Sequence, residues 1–393
     1  MKAFFTLILL LNISFECFSQ NVVYFDFVTH NEETAQWNGT PYYTMNRSRL
    51  VSLADYFQTN GITWNMQSDW VYLTNVLTKE TPALTSLTNN KNILRWMHED
   101  KGVEMDPHAH ESQYIYPDVA YLMDSIGLPE SKLIGGTIYN DSNGINIWTN
   151  LINGQNGIIF PNKFWQPDYM MGGGTPNHVA DLKYYGCWNP QSTTSYLTND
   201  TNNHLRHLGV GCEIKIKTTS TVSDIVAQIN DVVANIQNGN YPVSGFYLQS
   251  IFFEQGDLNN PAFYNMVKQV ADSVNLIVNA GLAEWKTLKQ AYTIWETTFN
   301  AQAFQWECGQ LVTGLNEHLA VFNNTPYPNP FMDYIKLPKL SGNEFRIVSN
   351  LQGQLVWSGN NIEVENFSAI QDGIYFLQVT DQKSVTTFKL LKN

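Results

Sequence analysis

The sequence predicts an α/β protein: an irregular parallel β/α barrel of about seven strands, followed by a small antiparallel β-sandwich. Three observations point there. From residue 21 to about residue 296, short apolar runs alternate with amphipathic stretches, the pattern of strand–helix–strand units around a parallel sheet. Seven or so such units favour a closed or nearly closed barrel over an open sheet. After about residue 323 the helical period disappears, and short alternating strands follow one another across turns such as Gln352-Gly353 and Asp372-Gly373.

The first nineteen residues read as a secretory signal peptide. Met1-Lys2 gives a positive start, Phe4 to Ile13 an apolar run, and Cys17-Phe18-Ser19-Gln20 a small polar exit, with cleavage expected near Ser19. The run is too short to span a bilayer, and no later stretch is long and apolar enough to do so. Ser14-Phe15-Glu16 lacks the small apolar residues that would make Cys17 a lipid-attachment site.

The barrel is expected over residues 20–300. Its strands are read at 22–28, 62–66, 103–105, 133–137, 209–211, 243–248 and 276–279, and its helices at 48–59, 117–126, 222–237, 261–273 and 284–295. Residues 140–201 fit this alternation poorly, being rich in Gly, Asn, Trp and Tyr. They are read as a long irregular insertion covering the cleft, with Trp165, Tyr169 and Trp188 available to a ligand. A linker over 301–323 precedes the sandwich at 324–393. Its opening segment, Thr325-Pro326-Tyr327-Pro328-Asn329-Pro330-Phe331, cannot be helical, because proline removes donors and constrains its neighbours.

Composition narrows the function. The chain carries 22 basic and 35 acidic residues, a formal net charge of −13, which argues against nucleic acid or an anionic membrane as partner. Aromatic residues make up 13% against 15% charged, and rings without many charges suit a sugar-binding cleft as well as a large core. Beyond Cys17 only Cys187, Cys212 and Cys308 occur, and no C-x-x-C spacing exists for a zinc knuckle or redox pair. Cys187 and Cys212 are a possible disulfide in an oxidising compartment.

The densest chemistry lies in residues 102–112, GVEMDPHAHES. In an extended chain Asp106, His108 and His110 share one face, and crowding such groups is costly unless a cation sits among them. In a barrel this strand, the strand ending in Asp26 and His30-Asn31-Glu32-Glu33, and the strand ending in Glu254 and Asp257 deliver their termini to one rim. His108, His110, Asp26 and His30 are therefore the candidate metal ligands, with zinc the first choice. Asp26, Glu111 and Glu254 are the candidate catalytic carboxylates, and Trp70, Trp165, Tyr169 and Trp188 the candidate sugar-stacking rings.

Two resemblances add to this reading. Tyr327-Pro328-Asn329-Pro330-Phe331, Gly373-Ile374-Tyr375-Phe376-Leu377 and the closing Lys389-Leu390-Leu391-Lys392 resemble the C-terminal sorting domain carried by type IX secretion cargo of Bacteroidetes. That resemblance implies handling by the type IX machinery, with Pro328, Asn329, Pro330, Gly373 and Tyr375 as motif residues, and export to the cell surface or medium. Residues 21–296 resemble the polysaccharide deacetylase family through Gly102-Val103-Glu104-Met105-Asp106-Pro107-His108, Tyr24-Phe25-Asp26, and Ile62-Thr63-Trp64 with Asp69-Trp70. The family implies an Asp-His-His metal site on an irregular β/α barrel. This chain departs from it: Ser112 stands where the second ligand histidine belongs, so His110 must substitute. Phe27 replaces one acid of the family's pair, and no Arg-x-Pro segment occurs.

The expected activity is a secreted, metal-dependent hydrolase removing acyl groups from a carbohydrate. The alternatives are a metal-independent glycoside hydrolase using paired carboxylates such as Glu111 and Glu254, and a surface carbohydrate-binding protein without turnover.

Overall fold

The computed structural model describes residues 22–32, 34–110, 113–135, 147–171, 183–312, 326, 328–337, 345–350, 354–380 and 385–392. The signal peptide, Glu111 and residues 313–323 of the linker lie outside the described residues. The chain divides into two compact units, residues 1–313 and 314–393.

In chain order the first unit holds β1 (Val23–His30), α1 (Thr40–Thr59), β2 (Trp64–Ser68), α2 (Trp70–Lys79), α3 (Pro82–Thr85), α4 (Ile93–Lys101), β3 (Glu104–Pro107), α5 (Tyr116–Ser125) and β4 (Leu133–Gly135). There follow α6 (Ile147–Asn153), β5 (Gln155–Asn156), β6 (Phe164–Trp165), β7 (Tyr169–Met171), β8 (Tyr184–Trp188), β9 (Arg206–Val210) and β10 (Ile214–Ile216). The unit ends with α7 (Val222–Gln237), β11 (Tyr247–Glu254), α8 (Pro261–Asn279), β12 (Ala283–Trp285), α9 (Leu288–Thr298) and β13 (Phe304–Glu307).

One sheet has the order β10-β11-β1-β2-β3, with β12 also on β1, and every pairing in it is parallel. Strand β1 shows why it forms. Its eight residues alternate, placing Val23, Phe25 and Phe27 in the larger core with the helices and Val28 in a second core on the opposite face. The second sheet, β13-β8-β9-β7-β4, is mixed: β4, β7 and β9 run parallel, whereas β8 and β13 run antiparallel to their neighbours. Both sheets supply the second core, Val28 and Leu248 from the first, Leu133, Met171 and Leu208 from the second, and α9 adds Leu288 and Trp295. The α/β class and the parallel sheet hold, and among the described residues no hydrogen-bonded strand pair joins the two sheets. Strand β3 ends on Pro107, which has no N–H of its own to donate.

Other boundaries move for identifiable reasons. The stretch 276–279, expected as a strand, is the last turn of α8, whose buried Val267, Val270, Ala271 and Val274 show the helical period running on. The helix expected from Glu284 starts only at Leu288, where Thr287 and Gln290 make a capping box. The insertion at 140–201 is more regular than expected: its described parts contain α6, β5, β6, β7 and β8. The expected linker begins too early, since β13 pairs with β8. The disulfide joins Cys212 to Cys308, with Cα atoms 5.2 Å apart, instead of Cys187 to Cys212. Cys187 is a buried free thiol on β8, within the second core. Among the described residues no helix is long and apolar enough to cross a membrane.

The second unit contains β14 (Phe345–Asn350), β15 (Leu355–Gly359), β16 (Gly373–Thr380) and β17 (Val385–Lys392). They form one antiparallel sheet of order β15-β14-β16-β17. Where a two-sheet sandwich was expected, the described residues cover the sheet with non-strand segments: Phe331, Ile335, Leu337, Ile362 and Phe367 pack with Val348, Tyr375, Leu377 and Leu390.

Candidate metal centre

Parallel pairing brings the ends of β1, β2, β3 and β11 to one edge. His30 stands opposite Gln67 on β2 and Glu254 on β11, and Gln67 stands opposite Asp106 on β3. The His108 N–H extends the ladder by donating to the Ser68 carbonyl at 2.9 Å. Asn31 ties the strand ends together: its amide donates to Ser68 Oγ (2.9 Å) and Gln255 Oε1 (3.0 Å), and its Oδ1 accepts from the Asp69 N–H (2.9 Å). This buried junction returns Glu32 towards the strand that precedes it.

The imidazoles meet at this edge. The His30 and His108 ring centroids are 4.3 Å apart, and His108 Nε2 lies 3.1 Å from His110 Nε2. Ligand atoms of His30, Glu32 and His108 all lie within 4.8 Å of one another. Each of the first two imidazoles has its outer nitrogen engaged. His108 Nδ1–H donates to the Gly135 carbonyl, which leaves the Nε2 lone pair facing inwards. His30 Nε2–H donates to Gln67 Oε1 at 2.6 Å, which leaves Nδ1 facing Glu32 Oε1 at 3.6 Å. A lone pair facing a carboxylate is favourable only with a proton or a metal cation between them. Acceptors behind metal-binding histidines usually fix the tautomer in this way.

Electrostatics follow the same geometry. Contact with the His30 ring holds the Glu32 carboxyl down to about 2 against the opposing effect of its partial burial, and any positive charge on the three neighbouring rings adds to the lowering. Burial pushes His108 well below the usual imidazole range, and the neighbouring His30 and His110 rings push it the same way. The centre therefore presents a carboxylate and a neutral imidazole. Close packing enforces the arrangement: a Cβ on Gly135 would lie 2.6 Å from Gln67 Cδ. Phe252 meets His30 edge-on at 4.7 Å, and Lys215 Nζ lies 4.5 Å from the centre of the Phe252 ring and 2.9 Å from Glu254 Oε1.

His30, His108 and His110 thus come together as the sequence suggested, whereas Asp26 does not join them. It shares the inward face of β1 with His30 but lies four residues earlier, about 13 Å along the strand. Its carboxyl is fully buried and raised well above the ordinary range by burial, then by Glu104 and Asp106. Thr63 and the Leu288 backbone offset this only in part, since neither reaches hydrogen-bond geometry. Asp26 is therefore too far from these imidazoles to serve them as ligand or base, and Glu32 stands beside them instead. Asp106 is also buried, accepting from Asn65 Nδ2 and Ser131 Oγ.

Glu254 does reach the edge, where Lys215 pairs with it, while Glu111 lies outside the described residues. Of the four candidate stacking rings, Trp70 remains: it is half-buried, follows β2 directly and stacks on Tyr114 at 4.6 Å and 10°. The other three are core residues. Trp165 donates to the Ser131 carbonyl and stacks on Tyr116, Trp188 donates to the Tyr196 carbonyl, and Tyr169 stacks on Tyr292. Gln67, Gly135, Tyr114 and Lys215 escaped the sequence reading. The one signal for Gln67 was its place on a strand pairing with β1.

In the second unit the motif residues lie along the last two strands. Gly373 opens β16, Tyr375 is buried with its hydroxyl donating to the Gln371 carbonyl at 2.6 Å, and Asn329, between Pro328 and Pro330, reaches β17. Residues 325–393 match the family described as "Secretion system C-terminal sorting domain". Among solved structures the chain is similar to PorZ, an essential bacterial surface component of the type-IX secretion system of Porphyromonas gingivalis. They share 16% identity over 23% of this chain and 13% of that one, with a TM-score of 0.17. The chain thus spans only a small part of PorZ, too little to bear on fold. No curated protein matches the chain. The sorting tail marks the protein for type IX export to the cell surface or extracellular space.

Proposed function

We propose that the first unit is a divalent-metal-dependent carbohydrate hydrolase on a barrel-like arrangement of its two sheets, removing acyl groups from amino or hydroxyl positions. The observation that carries the metal reading is the approach of His30 Nδ1 to Glu32, with the Nε2 lone pair of His108 turned to the same point and both outer nitrogens engaged. Two imidazole nitrogens and a carboxylate are a donor set suited to zinc or a similar ion, and His110 stands beside them. Such an ion would polarise an acyl carbonyl and make a water acidic.

The chain's own groups would do the remaining work. Gln67 and the Gly135 carbonyl keep the two tautomers fixed, so no reorganisation is needed when an ion or substrate arrives. Glu254, held at the same edge by Lys215, is the described carboxylate assigned to proton transfer. Trp70, backed by Tyr114, offers a half-exposed ring for a pyranose face. The resemblance in residues 102–108 supports the acyl-transfer direction. No observation favours the paired-carboxylate alternative.

The test is metal content and acetate release measured on the full secreted chain, chelator-stripped and then reconstituted with zinc, using acetylated oligosaccharides. One bound ion per chain and acetate release that both fall in His108→Ala and Glu32→Gln support the reading. Wild-type metal binding in both variants would overturn the metal centre. Metal binding without acetate release would overturn the deacylation.

A further inference from the structure

We infer that Asn329 is a positioning residue of the export tail: its carboxamide stands in for one residue of a missing neighbour strand and closes the outer edge of the terminal strand β17. Among the described residues the sheet order leaves β17 at an edge, paired with β16 on one side only. Such an edge exposes a row of N–H and C=O groups and invites pairing with other chains. Along β17 the outward backbone groups near the end belong to Lys389 and Leu391. Asn329 Nδ2 donates to the Lys389 carbonyl at 2.9 Å, and Asn329 Oδ1 accepts from the Leu391 N–H at 2.8 Å. The Phe331 N–H then donates to the Leu391 carbonyl at 2.8 Å, and Phe331 bridges Lys392 in the parallel sense.

Taken together, these contacts are the pattern of a parallel strand. There, one peptide unit bonds to residues on either side of its partner. The Asn329 side chain occupies the place opposite Leu390, and the Phe331 backbone the place opposite Lys392. Few side chains are able to do this. A coplanar donor and acceptor are needed at short reach: Asp lacks the donor, Ser lacks the second arm, and Gln is one methylene too long. The flanking prolines restrict the backbone and have no N–H groups of their own to satisfy. The fully buried Phe331 ring, packed against Phe367 and Tyr375, anchors the segment in the core. On the other side of β17, Leu390 is buried while Lys389 and Leu391 stay exposed. The false strand thus holds the terminal residues extended, with Lys389 and Leu391 displayed to whatever receives the tail.

The test compares the full chain carrying Asn329→Ala or Asn329→Asp with wild type, by amide exchange of the 386–393 peptide and by the exported fraction in the producing cells. The expected result is exchange at Leu391 at least ten-fold faster in Asn329→Ala, with amides of β14 and β16 unchanged, and a several-fold drop in export. Asn329→Asp keeps the acceptor for Leu391 and loses the donor to Lys389, so it should fall between wild type and Asn329→Ala in both readouts. Unchanged exchange at Leu391 overturns the edge closure. Faster exchange with undiminished export overturns its role in sorting. Acceleration of all second-unit amides together, in both variants, also overturns the inference, because it would make Asn329 a general stabiliser and not a local latch.

Discussion

The sharpest probe of the metal centre is a methyl group placed where no ligand lies. In Gly135→Ala the new Cβ would sit 2.6 Å from Gln67 Cδ, 2.7 Å from Oε1 and 2.9 Å from Cγ, all closer than real contacts allow. Gln67 is fully buried, so its carboxamide has little room to retreat and must give up His30 Nε2. Overpacking of this kind costs about 1–3 kcal/mol of stability. Loss of the group that orients a ligand histidine lowers metal affinity by roughly 10–100-fold, which is about 1.4–2.8 kcal/mol of binding free energy. Zinc titration with a competing chelator measures the affinity, and near-UV circular dichroism confirms that the variant is folded. Gln67→Leu, which removes the acceptor without adding bulk at Gly135, should give a similar loss. A folded Gly135→Ala protein binding zinc as tightly as wild type would refute the claim that Gln67 sets the His30 tautomer.

Four further outcomes are expected. Asp26 keeps its proton in the folded protein where the unfolded chain, with an ordinary aspartate pKa of about 3.9, has lost it; its stabilising effect is therefore present in acid and declines as pH rises above that value. Asn mimics the protonated acid, so Asp26→Asn should gain in stability over wild type progressively as pH rises from 4 to 7 in urea melts, and a gain independent of pH would contradict the burial argument. Asp106, pushed up to about 6 from 3.8 chiefly by burial, adds a decline on the order of 3 kcal/mol across the window between those values. Cys308→Ser opens a bridge closing a 96-residue span and should cost about 4–5 kcal/mol by chain entropy, read as a large drop in Tm that reducing agent reproduces in wild type. Asp118 accepts from the N–H groups of Ile115, Ile158, Ile159 and Phe160, so Asp118→Ala should cost about 3 kcal/mol or more and expose the 157–163 turn to proteases, and a protease-resistant turn would contradict the role assigned to Asp118.

The sequence made some of this legible because period and spacing carry it. Alternation in Val23–His30 marks a strand with two buried faces, and the spacing of His108 and His110 puts two imidazoles on one side of one segment. Helices α7 and α8 are visible for the same reason, from apolar positions three and four apart. What stayed hidden depends on register between distant segments. Alternation says that Asp26 and His30 share a face, but not that about 13 Å of strand separates them. Glu32 was visible as an edge acid, yet only the Asn31 junction turns it back towards His30. Strands β5, β6 and β7 have two or three residues each, too few for any period to register, so a stretch rich in Gly and aromatics passed for a loop. Trp165, Tyr169 and Trp188 were misassigned because composition does not distinguish a ring in a cleft from a ring in a core.

The two halves of the chain solve one problem with one device. At the metal centre a side-chain amide, Gln67, and a backbone carbonyl, Gly135, hold two imidazoles; each acceptor comes from a different strand from the ring it holds. In the tail a side-chain amide, Asn329, holds a strand edge in the place of a backbone. At the buried Gln67 a carboxamide supplies fixed hydrogen bonding without a charge that burial would penalise, and at the exposed Asn329 it supplies a donor and an acceptor together. A charged substitute should therefore fail at Gln67, where Gln67→Glu would set a carboxylate in full burial beside His30 and Glu32, whereas Asn329→Asp loses only the donor to the Lys389 carbonyl. Replacement by the neutral, shape-matched hydrocarbon loses only the hydrogen bonds. If buried charge is the dominant cost, Gln67→Glu will be less stable than Gln67→Leu at pH 8, with the difference narrowing as the pH is lowered and the new carboxyl protonates. Equal stabilities at pH 8 would show instead that the ring His30 accommodates a neighbouring carboxylate as readily as an amide.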